Sequence, residues 1–179
     1  MPEESRATLT TERLLLRPQR VQDAGVFRRL WTERDARVPP HRRIDAEGHP
    51  TVAEIADGIR RESSRTPPGL LTVVLRESEA VIGYCGLVFD GDGDGGGERP
   101  ELAFELLSAV HNRGYATEAG HAVIAWAREA GFPRLWASVW DWNLASRRAL
   151  EKLGFVDTGT VVKESAYGRS LLTVREPRD

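Results

Sequence analysis

Cysteine is almost missing: Cys85 stands alone in 179 residues. No disulfide can close within the chain, and a cysteine-built zinc or iron–sulfur centre is excluded. Long apolar runs are missing too; nothing approaches the ~20 residues of a membrane-spanning helix. An excess of one charge is also absent. Lys and Arg number 25 against 27 Asp and Glu, a formal net charge of −2. Overall positive charge therefore cannot hold the chain to nucleic acid. The opening Met1-Pro-Glu-Glu-Ser-Arg6 has neither the basic flank nor the apolar stretch of a secretory signal. What remains, 40% hydrophobic and 29% charged residues, fits one soluble globular core and is short for two. A cytoplasmic protein with no membrane partner and no specific nucleic-acid partner is expected.

Periodicity supplies the elements. Residues 1–10 are polar and read as a flexible leading segment. Leu14–Pro18 reads as a strand stopped by proline. A helix fits Asp23 to about Arg37, with Ala24, Phe27, Leu30 and Trp31 as its stripe and Asp23 as its cap. Val38–Pro50 reads as an irregular connection. Thr51-Val-Ala-Glu54 has capping-box spacing ahead of a second helix faced by Val52, Ile55, Ala56 and Ile59. Leu70–Arg76, Val81–Phe89 and Glu101–Leu107 read as strands. The clearest helix follows Gly114, with Ala119, Ala122, Val123, Trp126, Ala127 and Ala130 at helical spacing before Gly131. Arg134–Trp140 follows as a strand whose Trp136 and Trp140, sharing parity, are expected in the core. Asn143–Lys152 is a short helix, and Phe155–Val162 and Ser170–Arg175 are closing strands. Mixed order of this kind predicts one α/β (or α+β) domain.

The informative stretch runs from Glu101 to Ala119. A strand enters a glycine-containing turn and a helix starts at once, exposing unpaired N–H groups at a positive dipole end. An anion site and an ordinary strand–turn–helix joint both fit. A P-loop and a dinucleotide loop do not, because their glycine patterns are absent. Glu101, Ala103, Glu105 and Leu107 share one strand face, and Leu102, Phe104 and Leu106 the other. Glu101 and Glu105 are therefore candidate proton acceptors, or simply a half-solvated strand face.

His111-Asn-Arg-Gly-Tyr-Ala-Thr-Glu-Ala119, coupled to Asn143-Leu-Ala-Ser-Arg-Arg-Ala-Leu-Glu-Lys-Leu-Gly-Phe155, resembles the GNAT family of acyl-CoA-dependent N-acyltransferases. The resemblance begins at Thr11-Glu-Arg-Leu-Leu-Leu-Arg-Pro18 and covers about residues 11–175 as one domain. The branch it looks most like holds ribosomal-protein N-terminal acetyltransferases and small-molecule acetyltransferases. It implies a central twisted mixed sheet flanked by helices, with acetyl-CoA as co-substrate and no metal. By the same resemblance the diphosphate of coenzyme A meets Asn112, Arg113, Gly114, Tyr115, Ala116 and Thr117. His111 takes the family's usual Gln/Arg position. Leu107, Asn143, Ser146 and Arg147 complete the expected cofactor contacts. Arg147 and Arg148 also read as exposed helix charge. The implied chemistry is direct acyl transfer to the amine of a small molecule or a protein N-terminus. Glu101 or Glu105 takes the proton, directly or through water, and backbone N–H groups at Leu106 and Leu107 face the developing oxyanion. A homodimer is compatible with this, and no feature fixes it.

Two departures keep other classes open. Many family members carry tyrosine, a proton donor to the leaving thiolate, where this chain has Leu150. An inactive acyl-CoA-binding regulatory domain would tolerate that. Asp90-Gly-Asp-Gly-Asp-Gly-Gly-Gly-Glu-Arg-Pro-Glu101 formally fits the EF-hand expression, and would make a calcium-responsive module. Its flanks read as strands rather than helices, so a solvated hairpin loop is the simpler reading. Cys85, on an apolar strand with no histidine partner in sequence, reads as a buried thiol rather than a nucleophile.

Overall fold

The computed structural model describes residues 7–63, 69–90 and 99–177. Their strands are β1 (Leu9–Thr10), β2 (Leu14–Pro18), β3 (Leu70–Leu75), β4 (Val81–Asp90), β5 (Arg99–Leu106), β6 (Leu135–Trp140), β7 (Val156–Ser165) and β8 (Gly168–Arg175). The helices are α1 (Ala24–Glu33), α2 (Val52–Glu62), α3 (Tyr115–Glu129) and α4 (Leu144–Lys152). One mixed sheet holds all eight strands in the order β1-β2-β3-β4-β5-β6-β8-β7. β1 arises from the segment expected to be loose, because Leu9 and Thr10 pair with Leu16 and Leu15.

Each face of the sheet has its own apolar layer. Leu14, Leu16, Val73, Cys85, Leu87, Leu102 and Leu106 pack with Ala119, Val123 and Ala127 of α3, with Leu150 of α4 and with Leu153 just after it. A small residue on α3 lets the end of α4 close on it: a Cβ on Gly120 would sit 2.5 Å from Leu153 Cδ1. Across the sheet, Ala24, Phe27 and Leu30 of α1 and Ala56 and Ile59 of α2 pack with Leu107 and Tyr84. The Thr51–Glu54 capping box forms as its spacing requires, with the Thr51 N–H donating to Glu54 at 2.7 Å. Val52 does not join the face expected of it and stays 47% exposed.

Three further expectations are corrected. α1 ends at Glu33 rather than near Arg37, because Arg34 turns extended (φ −63°, ψ 139°). Asp23 makes no side-chain cap; it is buried in an ion pair with Arg17 on β2. Trp136 and Trp140 are half-buried on the face away from α3. Leu135, Ala137 and Val139 alternate onto the core side instead, and the Trp rings, each with a polar N–H, take the wetter face.

The feature that prepares a site is a split in the sheet. β5 and β6 run parallel and meet in register at one pair, Glu101 opposite Trp136. Past that pair β5 continues to Leu106 and β6 to Trp140 with no further rungs between them. α3 follows β5 and α4 follows β6, so both helix N-termini lie at the open, carboxyl-terminal end of the split. Open α/β sheets bind ligands in such a crevice.

Candidate functional site

The backbone at the mouth is shaped by two left-handed residues. Asn112 has φ +60° and Gly114, the N-cap of α3, has φ +79°. Left-handed residues alternating with right-handed ones aim successive N–H groups into an anion-binding concavity. The N–H groups of residues 112–117 have no acceptor among the described residues. The six loop residues expected to hold a diphosphate are thus contiguous, and all sit at one end of the split.

Alternation along β5 decides which strand amide faces the split. The Leu107 N–H donates to the Ile82 carbonyl at 2.8 Å. Neighbouring strand residues direct their N–H groups to opposite sides, so the Leu106 N–H turns away from β4 and into the split. Of the two amides expected to face an oxyanion, Leu107 is already bonded within the sheet and Leu106 is left. The Leu106 carbonyl accepts from His111 Nε2 at 2.8 Å. A carbonyl only accepts, so that nitrogen carries the proton. His111 therefore braces the end of β5 from the loop.

Glu101 and Glu105 share the face toward α1, as alternation predicts, but they do not form a pair. Glu105 accepts both prongs of Arg34, at 2.8 Å from Nε and 2.7 Å from Nη2, and the Tyr84 hydroxyl at 2.9 Å. Burial, with Glu105 alongside, pushes the Tyr84 phenol well above its usual value. Arg34 also lies 4.1 Å over the Trp31 ring. The neighbouring Glu33 accepts the Ser108 N–H at 2.8 Å, and that bond leads the causes holding its carboxyl below the usual range. The end of α1 is thereby fastened to the end of β5. Glu101 lies where the split closes and accepts Ser138 Oγ of β6 at 3.0 Å and Arg99 at 3.0 Å. Five strand steps separate it from Leu106, roughly 16 Å.

On the β6 side, Asn143 caps α4, its Oδ1 accepting the Ser146 N–H at 3.2 Å. Ser146 is half-buried beside it. Arg147 is exposed and donates to the Asp141 carbonyl at 3.0 Å. Leu150 is buried in the main core, so position 150 presents nothing to the split. Cys85 is fully buried and its thiol is pushed up to about 12 by burial, which removes it as a nucleophile near neutral pH. Most of the calcium-like loop lies outside the described residues. Its last position, Glu101, belongs to β5 and is engaged by Arg99 and Ser138.

Sequence reasoning missed two residues here, Arg13 and Arg34, and the bond that ties Tyr84 to Glu105. Arg13 stood inside a quoted motif, but nothing in that motif says that it reaches the loop before α3. Arg34 and Tyr84 are joined to Glu105 across 71 and 21 positions, a connection no local pattern carries.

Comparison with known proteins agrees with this geometry. A family model described as an acetyltransferase (GNAT) domain matches residues 13–156. The N-acetyltransferase p20 of Bacillus licheniformis is 28% identical over 167 residues, 90% of each chain. A GNAT-family acetyltransferase of Bordetella pertussis is 27% identical and superposes with a TM-score of 0.74, over 95% of this chain and 99% of that one. The ribosomal-protein-S5-alanine acetyltransferase of Vibrio fischeri shares the fold at TM-score 0.68 and 16% identity, over 97% of this chain and 98% of its own.

Proposed function

The chain belongs to the GNAT acetyltransferase family and is by that membership an acyl-CoA-dependent N-acetyltransferase; we propose that it moves acetyl from acetyl-CoA to the primary amine of a small molecule or a protein N-terminus. The single observation that carries this is the one-rung parallel join of β5 and β6 with two helix N-termini at its open end. In this reading the N–H groups of Asn112, Arg113, Gly114, Tyr115, Ala116 and Thr117 hold the diphosphate. Leu107 and Asn143 flank the pantetheine arm, and Ser146 and Arg147 stand beside the nucleotide.

The acyl end lies down the split, between Leu106 and Glu101. An amine attacks the thioester carbonyl directly: the C–N bond forms to give a tetrahedral oxyanion, and its collapse breaks the C–S bond and releases the thiolate. The Leu106 N–H stabilises the developing oxyanion. The amine's proton passes through water to Glu105, the residue next to Leu106; Glu101, roughly 16 Å along the strand, is beyond a one-water relay from this oxyanion. Water protonates the leaving thiolate, since Leu150 is apolar and buried. Holding both reactants in one ternary complex supplies the rest of the acceleration. A cytoplasmic location fits a chain in which no helix among the described residues is long and apolar enough to cross a membrane.

The test is an acceptor screen with acetyl-CoA, read by mass spectrometry. Acetylated amine formed in step with free CoA is the expected result. Tight CoA binding with no transfer to any amine or N-terminal peptide would instead mark a regulatory domain. With an acceptor in hand, Glu101→Gln is expected to change kcat by less than about threefold at saturating acceptor, since its carboxylate lies too far along β5 from the Leu106 N–H to take the proton. Glu105→Gln, whose carboxylate is taken up by Arg34 and Tyr84, is expected to lower it by roughly tenfold or less. Unchanged rates and pH profiles in both variants would exclude a side-chain base at either position.

A further inference from the structure

The loop before α3 is held from the far end of the chain. Arg13 follows the β1–β2 turn and reaches across to the mouth of the split. Its Nε donates to Glu118 Oε2 at 2.7 Å and its Nη1 to the Arg113 carbonyl at 2.9 Å. Its guanidinium carbon lies 4.5 Å over the Tyr115 ring. A Cβ on Gly114 would sit 3.4 Å from its Nη2. The Arg13 N–H and the Thr11 hydroxyl donate to Glu118 Oε1 at 2.9 and 2.6 Å.

Two physical consequences follow. The Arg113–Gly114 peptide is planar and trans, so its C=O and N–H point in opposite directions. Fastening the Arg113 carbonyl to Arg13 turns the Gly114 N–H outward, toward the mouth. A flipped peptide would put a carbonyl oxygen there and repel an anion. Glu118 is the second consequence. A carboxylate in the first turn suits the helix dipole, but it stands one turn from where a diphosphate would bind and opposes it. Its oxygens accept from Arg13 and Thr11, and the guanidinium cancels its charge.

Resting on the acetyl-CoA reading above, we propose that Arg13 is a positioning residue for the acyl donor: through the Arg113 carbonyl and Glu118 it holds the Gly114 N–H toward the diphosphate. It acts on the diphosphate end alone and has no part in the acyl transfer itself.

The test compares acetyl-CoA with acetyl-pantetheine, a donor with the same thioester and no diphosphate. Arg13→Gln is expected to raise KM for acetyl-CoA and Kd for CoA by tenfold or more, with kcat and acceptor KM unchanged. Its kcat/KM for acetyl-pantetheine should equal that of the wild type. Arg13→Lys keeps the charge but cannot bond Glu118 and the Arg113 carbonyl with one fork, so it should fall between. It also serves if Arg13→Gln fails to fold. A folded Arg13 variant whose CoA affinity stays within twofold of wild type overturns the proposal. So does an equal loss with acetyl-pantetheine, which would mark a general structural effect. Wild-type protein that binds no CoA would overturn the acetyltransferase reading itself, a separate and distinguishable failure.

Discussion

Gly114→Val is expected to lower kcat/KM for acetyl-CoA by about 100-fold, with the protein still folded. Gly114 sits at φ +79°, a region a β-branched residue enters only as an outlier. Valine would drive the residue to negative φ and rotate the peptide that presents the Gly114 N–H. Two charge-assisted bonds to a diphosphate would then be misdirected, each worth ~1.5–3 kcal/mol. A 100-fold loss corresponds to about 2.8 kcal/mol, the low end of that sum. Gly114 itself is exposed and belongs to neither apolar layer, so the melting temperature should move little. Gly114→Ala should give a smaller loss, since alanine in the left-handed region costs ~1–2 kcal/mol. Steady-state kinetics with acetyl-CoA varied, beside calorimetry of CoA binding, measure both effects. A Gly114→Val protein with CoA affinity within threefold of wild type would contradict the loop assignment.

Asp23→Asn is expected to destabilise the fold by about 3 kcal/mol. The Asp23 carboxylate is 3% exposed. Its Oδ1 accepts from Arg17 Nη2 at 2.8 Å, and its Oδ2 accepts Arg17 Nη1 at 2.8 Å, the Arg20 N–H at 2.8 Å and the Thr72 hydroxyl at 2.7 Å. Four donors thus meet one acceptor group, and an asparagine NH2 would turn a fifth donor toward them. The Arg17 charge would also be left buried without its partner. For a chain of this length ~3 kcal/mol is a fall of roughly 6–12 °C in Tm.

The same pair sets a pH dependence. Burial alone would raise the Asp23 pKa, but bonds from Arg17, Arg20 and Thr72 together bring it below the usual carboxylate value. A carboxylate depressed in the folded state contributes stability above its unfolded pKa and loses it as pH falls through the folded value. The stability difference between wild type and Asp23→Asn should therefore be full at pH 6–7 and shrink as pH drops below about 4. A constant difference across that range would show that the pair is not the source.

Local patterns carried the helices well. The apolar spacing after Gly114 and the Thr51–Glu54 box were legible because each rests on neighbours within one or two turns. The sharing of β5 between two faces was legible for the same reason, since alternation has a period of two. What failed depends on which layer an element meets. The shared parity of Trp136 and Trp140 suggested core, yet that parity is the one turned away from α3, and parity alone does not show which face meets the helix. Asp23 looked like a cap, because a sequence does not show that Arg17 and Thr72 would flank it on adjacent strands. The candidate site divides the same way. The anion loop and both glutamates could be named from their spacing and a family resemblance. The split that makes a cleft of them depends on β5 and β6 meeting at one rung, and the brace on the loop spans 105 positions from Arg13 to Glu118.

The central claim is that the N–H groups opening α3 grip the diphosphate of an acyl carrier at the mouth of the split. Backbone amide resonances followed while CoA is added to isotope-labelled protein test it most directly. Saturable shifts centred on Asn112–Thr117, with Leu106 moving in step, are the expected result. Binding that leaves those amides unmoved, or no binding at millimolar CoA, would contradict it.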